Sequence, residues 1–240
     1  MARELAVLMD PIERIKIKKD TSFALLLEGQ RRGWHLNYLV QGGLALRGGE
    51  AWGCLAPLRV RDDPADWFTL GPAAWAPLSR LQLVLERKDP PFDDQFLYDT
   101  HVLDRAEQAG VMVVNRPGAL RGANEKLFAL SFPQCIPPTL VARDTTELRR
   151  FAAEQGEVVL KPLDGMGGRS IFRSFDGDPN LNVILETLTD GGRRLALAQR
   201  YLPQIVDGDK RILMIDGEPV PYALARIPQG SDFRGNLAAG

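Results

Sequence analysis

Read from the amino end, the apolar positions of this chain fall into runs of two periods. Leu5–Met9 is an apolar run of buried-strand type, stopped by Asp10-Pro11. From Asp20, the residues Phe23, Leu26, Leu27 and Gln30 share one helical face, and Gly33 stands where a glycine ends a helix. His35–Val40 predicts a second strand and Leu81–Leu85 a third. Phe96, Thr100, Leu103 and Glu107 mark another helix, stopped by Gly110 ahead of a strand at Val111–Asn115. Residues 41–80, rich in Gly and Pro and carrying Trp52, Trp67 and Trp75, give no assignable period. Strands alternating with helices predict a largely parallel sheet with helices on both faces.

The pattern changes near Arg121. Asp144-Thr145-Thr146-Glu147 has capping-box spacing and opens a helix that Gly156 closes. Val158–Lys161 predicts a strand, with Ser170–Phe175 as its partner across a glycine-rich turn. Leu181, Ile184, Leu185 and Leu188 stripe a helix ended by Gly191-Gly192. Leu195–Tyr201, Arg211–Ile215 and Glu218–Arg226 predict strands, the last two joined at the hairpin pair Asp216-Gly217. This half reads as antiparallel α+β. The expected fold class is α/β, with domains at 1–122 and 123–240.

Composition narrows the picture. The chain has 240 residues, enough for one large domain or two small ones. Lys+Arg number 30 against 31 Asp+Glu, a formal net charge of -1, which removes the bulk electrostatic case for nucleic acid or an anionic membrane. Cys54 and Cys135 match no CxxC pattern, pointing to a reduced compartment. No targeting signal and no membrane-length apolar stretch are expected, so the location read from sequence is the cytoplasm.

Common signatures fail. There is no Walker A loop, because no Gly is followed by Lys, and Ser170 stands where the dinucleotide fingerprint needs its third glycine. His35 and His101 are the only histidines, which excludes a multi-histidine metal site. Asp94 and Asp99 near His101 read as a solvated helix face.

What survives is the run Lys161-Pro162-Leu163-Asp164-Gly165-Met166-Gly167-Gly168-Arg169-Ser170. A lysine ending a strand is a poorly hydrated charge suited to phosphate oxygens, and glycines let backbone N–H groups approach an anion. The plain alternative is a hairpin turn beside a snorkelling lysine. Lys126, 35 residues upstream, has the spacing of a two-lysine nucleotide clamp, against the alternative of an ordinary helix-surface lysine. Gln199-Arg200-Tyr201-Leu202 could offer backbone groups to an adenine edge, or be a strand end before Pro203. Asp207-Gly208-Asp209-Lys210-Arg211 offers carboxylates for ribose hydroxyls and cations for phosphate, or is a charged turn.

Together these residues resemble the ATP-grasp superfamily, and within it the bacterial glutathione synthetase family. The likeness spans the chain. It includes Met9-Asp10-Pro11-Ile12, Ile17-Lys18-Lys19-Asp20, Arg87 to Asp93, Asn124 to Phe128, Lys161 to Gly168, Gly177 to Asn180, Asp207 to Arg211, Gly217 to Tyr222, Ala225 to Gly230 and Arg234 to Gly240. The resemblance implies a Rossmann-like N-terminal domain followed by ATP-grasp α+β lobes that hold ATP between them, the last lobe incomplete. It implies a reaction in which γ-glutamylcysteine is phosphorylated by ATP to an acyl phosphate and glycine displaces the phosphate. Lys126 and Lys161 would hold the phosphates, with Gly167 and Gly168 closing over them. Gln199, Arg200, Tyr201 and Leu202 would meet the adenine and Asp209 the ribose. Arg211, Arg226 and Arg234 would act on the peptide substrate or the transferring phosphoryl group. The segment from Ile227 to Gly240 would be a lid, and Mg²⁺ would take ligands beyond Gly240, since the lone acid-x-Asn pair, Asp178-Pro179-Asn180, reads as a turn. Residues 1–240 alone would then make no glutathione. A homo-oligomer is expected. The alternatives are another ATP-grasp carboxylate–amine ligase, or a non-catalytic ATP-binding form.

Overall fold

The computed structural model describes residues 3–228. The chain divides into two compact units, Met1–Asn124 and Glu125–Gly240.

The first unit is built on β1 (Glu4–Met9), α1 (Thr21–Arg31), β2 (His35–Leu39), β3 (Leu44–Arg47), β4 (Glu50–Val60), β5 (Phe68–Leu70), β6 (Ala74–Pro77), β7 (Leu83–Arg87), α2 (Asp94–Gln108), β8 (Met112–Val114) and α3 (Pro117–Gly122). β1 lies at the centre and pairs in parallel with β2 on one side and β7 on the other; β7 pairs in parallel with β8. Because side chains alternate along a strand, β1 feeds two cores. Leu5, Val7 and Met9 pack with Phe23 and Leu26 of α1, whereas Ala6 and Leu8 pack with Leu103 and Ala106 of α2. The helices therefore cover opposite faces, as expected. Both start at an aspartate cap: Asp20 Oδ1 accepts from Phe23 N at 2.8 Å and Asp93 Oδ1 from Phe96 N at 2.9 Å.

Three expectations for this unit are corrected. The sheet is not largely parallel. Four of its eight strands, β3 to β6, join through antiparallel pairings and fill the unassigned stretch 41–80. β4 is the organising strand, and its Pro57, which argues against a strand, falls between residues 52–55 paired to β6 and 58–60 paired to β5. The strand expected at Leu81–Leu85 runs instead from Leu83 to Arg87, so that Glu86 is carried into the interior. Asp99 is not on a solvated face: it is half-buried and hydrogen-bonded to Gln41, and burial raises its pKa.

The second unit contains β9 (Thr139–Ala142), α4 (Thr145–Gln155), β10 (Glu157–Pro162), β11 (Phe172–Phe175), α5 (Leu181–Thr189), β12 (Ala196–Arg200), β13 (Asp209–Ile215) and β14 (Glu218–Arg226). Four strands form an antiparallel sheet in the order β11-β10-β12-β9. Leu148, Ala152, Leu181, Leu185 and Leu188 of the two helices bury against Val158, Leu160, Ala196 and Ala198, one face of that sheet. Asp144 caps α4 by accepting from Thr146 N at 2.7 Å, while Glu147 pairs with Arg150. β13 and β14 form a separate hairpin, turned by Asp216 and Gly217 at φ 51° and 81°, the left-handed pair its turn type requires. Arg234 and most of the expected lid lie outside the described residues.

Candidate functional site

The helices of the second unit cover one face of its four-stranded sheet, and alternation puts Lys161, Gln199 and Thr139 on the other. Register places Leu197 opposite Lys161 on β10 and Thr139 opposite Gln199 on β9. On this face the side chains form a chain of contacts: Lys161 Nζ donates to Gln199 Oε1 at 3.0 Å, and Gln199 Nε2 donates to Thr139 Oγ1 at 2.9 Å. A half-buried lysine thus rests on a neutral amide oxygen instead of a carboxylate. Burial first, and then the positive charge of Lys126, lower its pKa from the ordinary lysine value.

Lys126 is not on a helix surface. It sits in a turn before a short 3₁₀ segment, and its ammonium donates to Gly165 O at 2.7 Å and to Glu125 Oε1 at 2.8 Å. Two lysines 35 positions apart therefore meet at the glycine-rich connection between β10 and β11. Gly167 and Gly168 take φ of 66° and 79°, which a side chain would oppose, and Ser170 follows at φ 53°. Glycine in such a connection lets backbone N–H groups approach an anion without interference from a β-carbon.

The Gln199–Leu202 run divides in two. β12 is an inner strand, so the sheet uses its backbone: Arg200 N donates to Pro138 O and Tyr201 N to Glu157 O, both at 2.9 Å. Tyr201 is buried, with the Arg173 guanidinium 3.9 Å from its ring centroid. The amides expected at Arg200 and Tyr201 are therefore committed to the sheet, and Leu202, whose carbonyl accepts from Ile205 N at 3.1 Å, lies where the strand leaves it.

Asp209 and Arg226 are paired across the β13–β14 hairpin, where register sets them opposite each other and Arg211 opposite Leu224. All four share one face by alternation. The expected ribose carboxylate and one of the expected catalytic arginines thus meet as a bidentate ion pair, with the arginine pKa raised by that carboxylate. Nothing in the sequence pattern signalled this pairing. Asp178-Pro179-Asn180 is a turn, as expected: Asp178 accepts from Ser174 Oγ and from Asn180 N, both at 2.8 Å. Among the described residues no three His, Cys, Asp or Glu side chains converge to hold a metal ion, and no helix is long and apolar enough to cross a membrane.

The site is a cationic, glycine-lined cradle beside a strand end, suited to a polyphosphate attached to a planar base. Comparison with known proteins gives the family. Residues 4–121 match the prokaryotic glutathione synthetase N-terminal domain, and residues 125–240 match the prokaryotic glutathione synthetase ATP-grasp domain. The chain is 63% identical over all 240 residues to a glutathione synthetase of Xanthomonas campestris pv. campestris and 58% identical to one of Pseudomonas aeruginosa, covering 76% of each. Among solved structures it is similar to D-cycloserine synthetase DcsG, with a TM-score of 0.59 and 17% identity over 94% of this chain and 72% of that one. A RimK-domain ATP-grasp protein from Sphaerobacter thermophilus gives 0.56 and 22% identity over 88% and 68%. These two similarities concern the fold.

Proposed function

This chain belongs to the prokaryotic glutathione synthetase family, and from that premise we propose that it is an ATP-dependent ligase joining γ-glutamylcysteine to glycine. The observation that carries the reading is the convergence of Lys126 and Lys161 on the Gly165–Gly168 connection. Lys161, whose pKa is lowered first by burial and then by the charge of Lys126, would be favoured in its charged form by phosphate oxygens beside it. Phosphoryl transfer depends mainly on such positioning and charge neutralisation.

The cysteine carboxylate of the dipeptide attacks the γ-phosphorus of ATP, the bond to the β-phosphate oxygen breaks, and ADP leaves. The glycine amine then attacks the acyl carbon of the resulting acyl phosphate. Inorganic phosphate departs, and the nitrogen loses a proton as the amide forms. In this scheme Lys126, Lys161 and the amides of Gly167 and Gly168 hold the phosphates. Gln199 fixes the Lys161 ammonium, Leu202 meets the adenine edge, and Asp209 meets the ribose after exchanging its Arg226 partner. Arg211 and Arg226, on one hairpin face, and Arg234 meet the peptide carboxylate or the transferring group. Mg²⁺, when bound, supplies further neutralisation of phosphate charge, but no carboxylate set among the described residues fits it. The same reading places the enzyme in the cytoplasm as a homo-oligomer, where ATP and the reduced thiol of its substrate are both held.

The test is phosphate release by the full-length gene product with ATP, γ-glutamylcysteine and glycine. Release that requires all three, with glutathione as product, is expected. Release indifferent to glycine would remove the synthetase reading, and acceptance of another amine in its place would point to a different carboxylate–amine ligase.

A further inference from the structure

The amide of Gln199 has an oxygen on one arm and an NH₂ group on the other, and only the oxygen can support a lysine ammonium. The two arms are nearly alike in shape, so packing alone does not choose between them. The choice is made on the neighbouring strand, at Thr139.

Register sets Thr139 of β9 directly opposite Gln199 of β12. Thr139 Oγ1 donates to Pro137 O at 2.7 Å. A carbonyl oxygen only accepts, so the hydroxyl proton is committed to it, and the hydroxyl oxygen can accept but not donate elsewhere. Gln199 Nε2 donates to that oxygen at 2.9 Å, which turns Oε1 the other way, where it accepts from Lys161 Nζ at 3.0 Å. The direction of the whole chain therefore follows from its first bond. Its anchor is itself tied to β12: Pro138 O, next to the accepting carbonyl, takes the N–H of Arg200, next to Gln199, at 2.9 Å.

The reverse orientation of the amide would set its hydrogens against an ammonium whose surroundings already disfavour charge. Lys161 is half-buried, and the positive charge of Lys126 acts on it in the same sense as burial, with Glu125 acting the other way. β9 by itself would accept valine at position 139, since a branched apolar residue suits a strand at least as well as threonine. The hydroxyl, rather than the strand, is what the site needs.

We propose that Thr139 is a positioning residue for the nucleotide: acting through the orientation of the Gln199 amide, it holds the Lys161 ammonium in place for phosphate oxygens. The assignment rests on the reading of the two-lysine site given above and adds a residue outside it on which its geometry depends.

Equilibrium dialysis of the full-length gene product against a non-hydrolysable ATP analogue, which reads weak binding as well as tight, tests it. Thr139→Val keeps the branched shape and removes the hydroxyl, whereas Thr139→Ser keeps the hydroxyl. The valine variant is expected to bind the analogue about three- to tenfold more weakly, the worth of one hydrogen bond, and the serine variant within about twofold of the parent. Combined with Lys161→Ala, the two variants should bind alike, because the amide then has no ammonium to face. Equal affinity of the valine and serine variants in the parent chain would overturn the assignment, as would a valine loss that persists in full without Lys161. Melting curves check the fold, and Thr139→Ala, which removes the hydroxyl without adding bulk, replaces the valine variant if that one melts early. A parent that binds the analogue, with variants that fail in either way, sinks this inference and leaves the nucleotide reading standing. No analogue binding by the parent would sink both.

Discussion

Arg226 grips Asp209 with two prongs of its guanidinium: Nε lies 2.6 Å from Oδ1 and Nη2 2.5 Å from Oδ2, across the β13–β14 pair. The arginine side chain is 17% exposed and the aspartate 36%, so water screens the pair in part and about 1 kcal/mol is a reasonable worth. The consequence for function is that these residues act as a unit. Asp209→Asn, Arg226→Gln and the double variant, titrated with a non-hydrolysable ATP analogue, should show non-additive losses with a coupling of about 1 kcal/mol. Additivity would mean that each reaches its ligand independently of the other.

Lys126→Ala and Lys161→Ala should each weaken ATP-analogue binding by about 1.5–3 kcal/mol, the worth of a hydrogen bond to a charged group. Both variants should stay folded, since neither lysine belongs to the apolar core. Arginine at position 161 should rescue only in part, because a planar fork cannot take the place of a compact ammonium seated on Gln199. Calorimetry decides: unchanged affinity in both alanine variants would remove them from the phosphate site.

Gly168→Ala places a β-carbon on a residue at φ 79° and should strain the connection by about 1–2 kcal/mol. If Gly168 serves the phosphates as proposed, the free loop relaxes to relieve this strain and binding restores it, so the nucleotide Kd should rise about five- to thirtyfold while thermal stability falls only slightly. A variant that binds ATP as the parent does would show that this loop stands away from the phosphates.

Glu86 titrates at about 8 in the folded chain against 4.5 as its ordinary value. Between these values the folded state holds a proton that the unfolded chain has released. The contribution to stability is therefore fully present below about pH 4.5 and is lost as pH rises through about 8, at a limit of about 1.4 kcal/mol per pH unit. Glu86→Gln keeps a neutral group of the same shape. It should be the more stable protein above about pH 8 and should flatten the fall in melting temperature between about pH 5 and about pH 8. Parallel melting curves for the two proteins across that range would refute the assignment.

Most individual elements are legible in the sequence because their causes are local. The aspartates at 20, 93 and 144 cap helices that follow within a turn, and Asp216-Gly217 makes its hairpin from its own backbone preferences. The apolar runs at Leu5–Met9 and Val158–Lys161 mark strands because burial on both faces or on one leaves a pattern in the residues themselves. The candidate lysines and glycines are legible for the same reason: their chemistry is carried by residue type and spacing.

What the sequence alone left open is long-range. β4 is concealed by Pro57, Gly53 and Trp52, and it becomes a strand only because β2, β3, β5 and β6 pair along it. The charges at Glu86-Arg87 look like the end of a strand, yet pairing with β1 carries Glu86 inside and leaves Arg87 exposed. Lys126 reaches Gly165 across 39 positions, and Asp209 meets Arg226 across 17. Periodicity and turn chemistry act over a few residues, so the sequence by itself determined most of the elements, the caps and the residue types of the candidate site. Register, burial of charge and the partner of each side chain depend on strands that meet from distant parts of the chain. Only the tertiary structure could decide those, because the energy that fixes them exists only once both partners are in place.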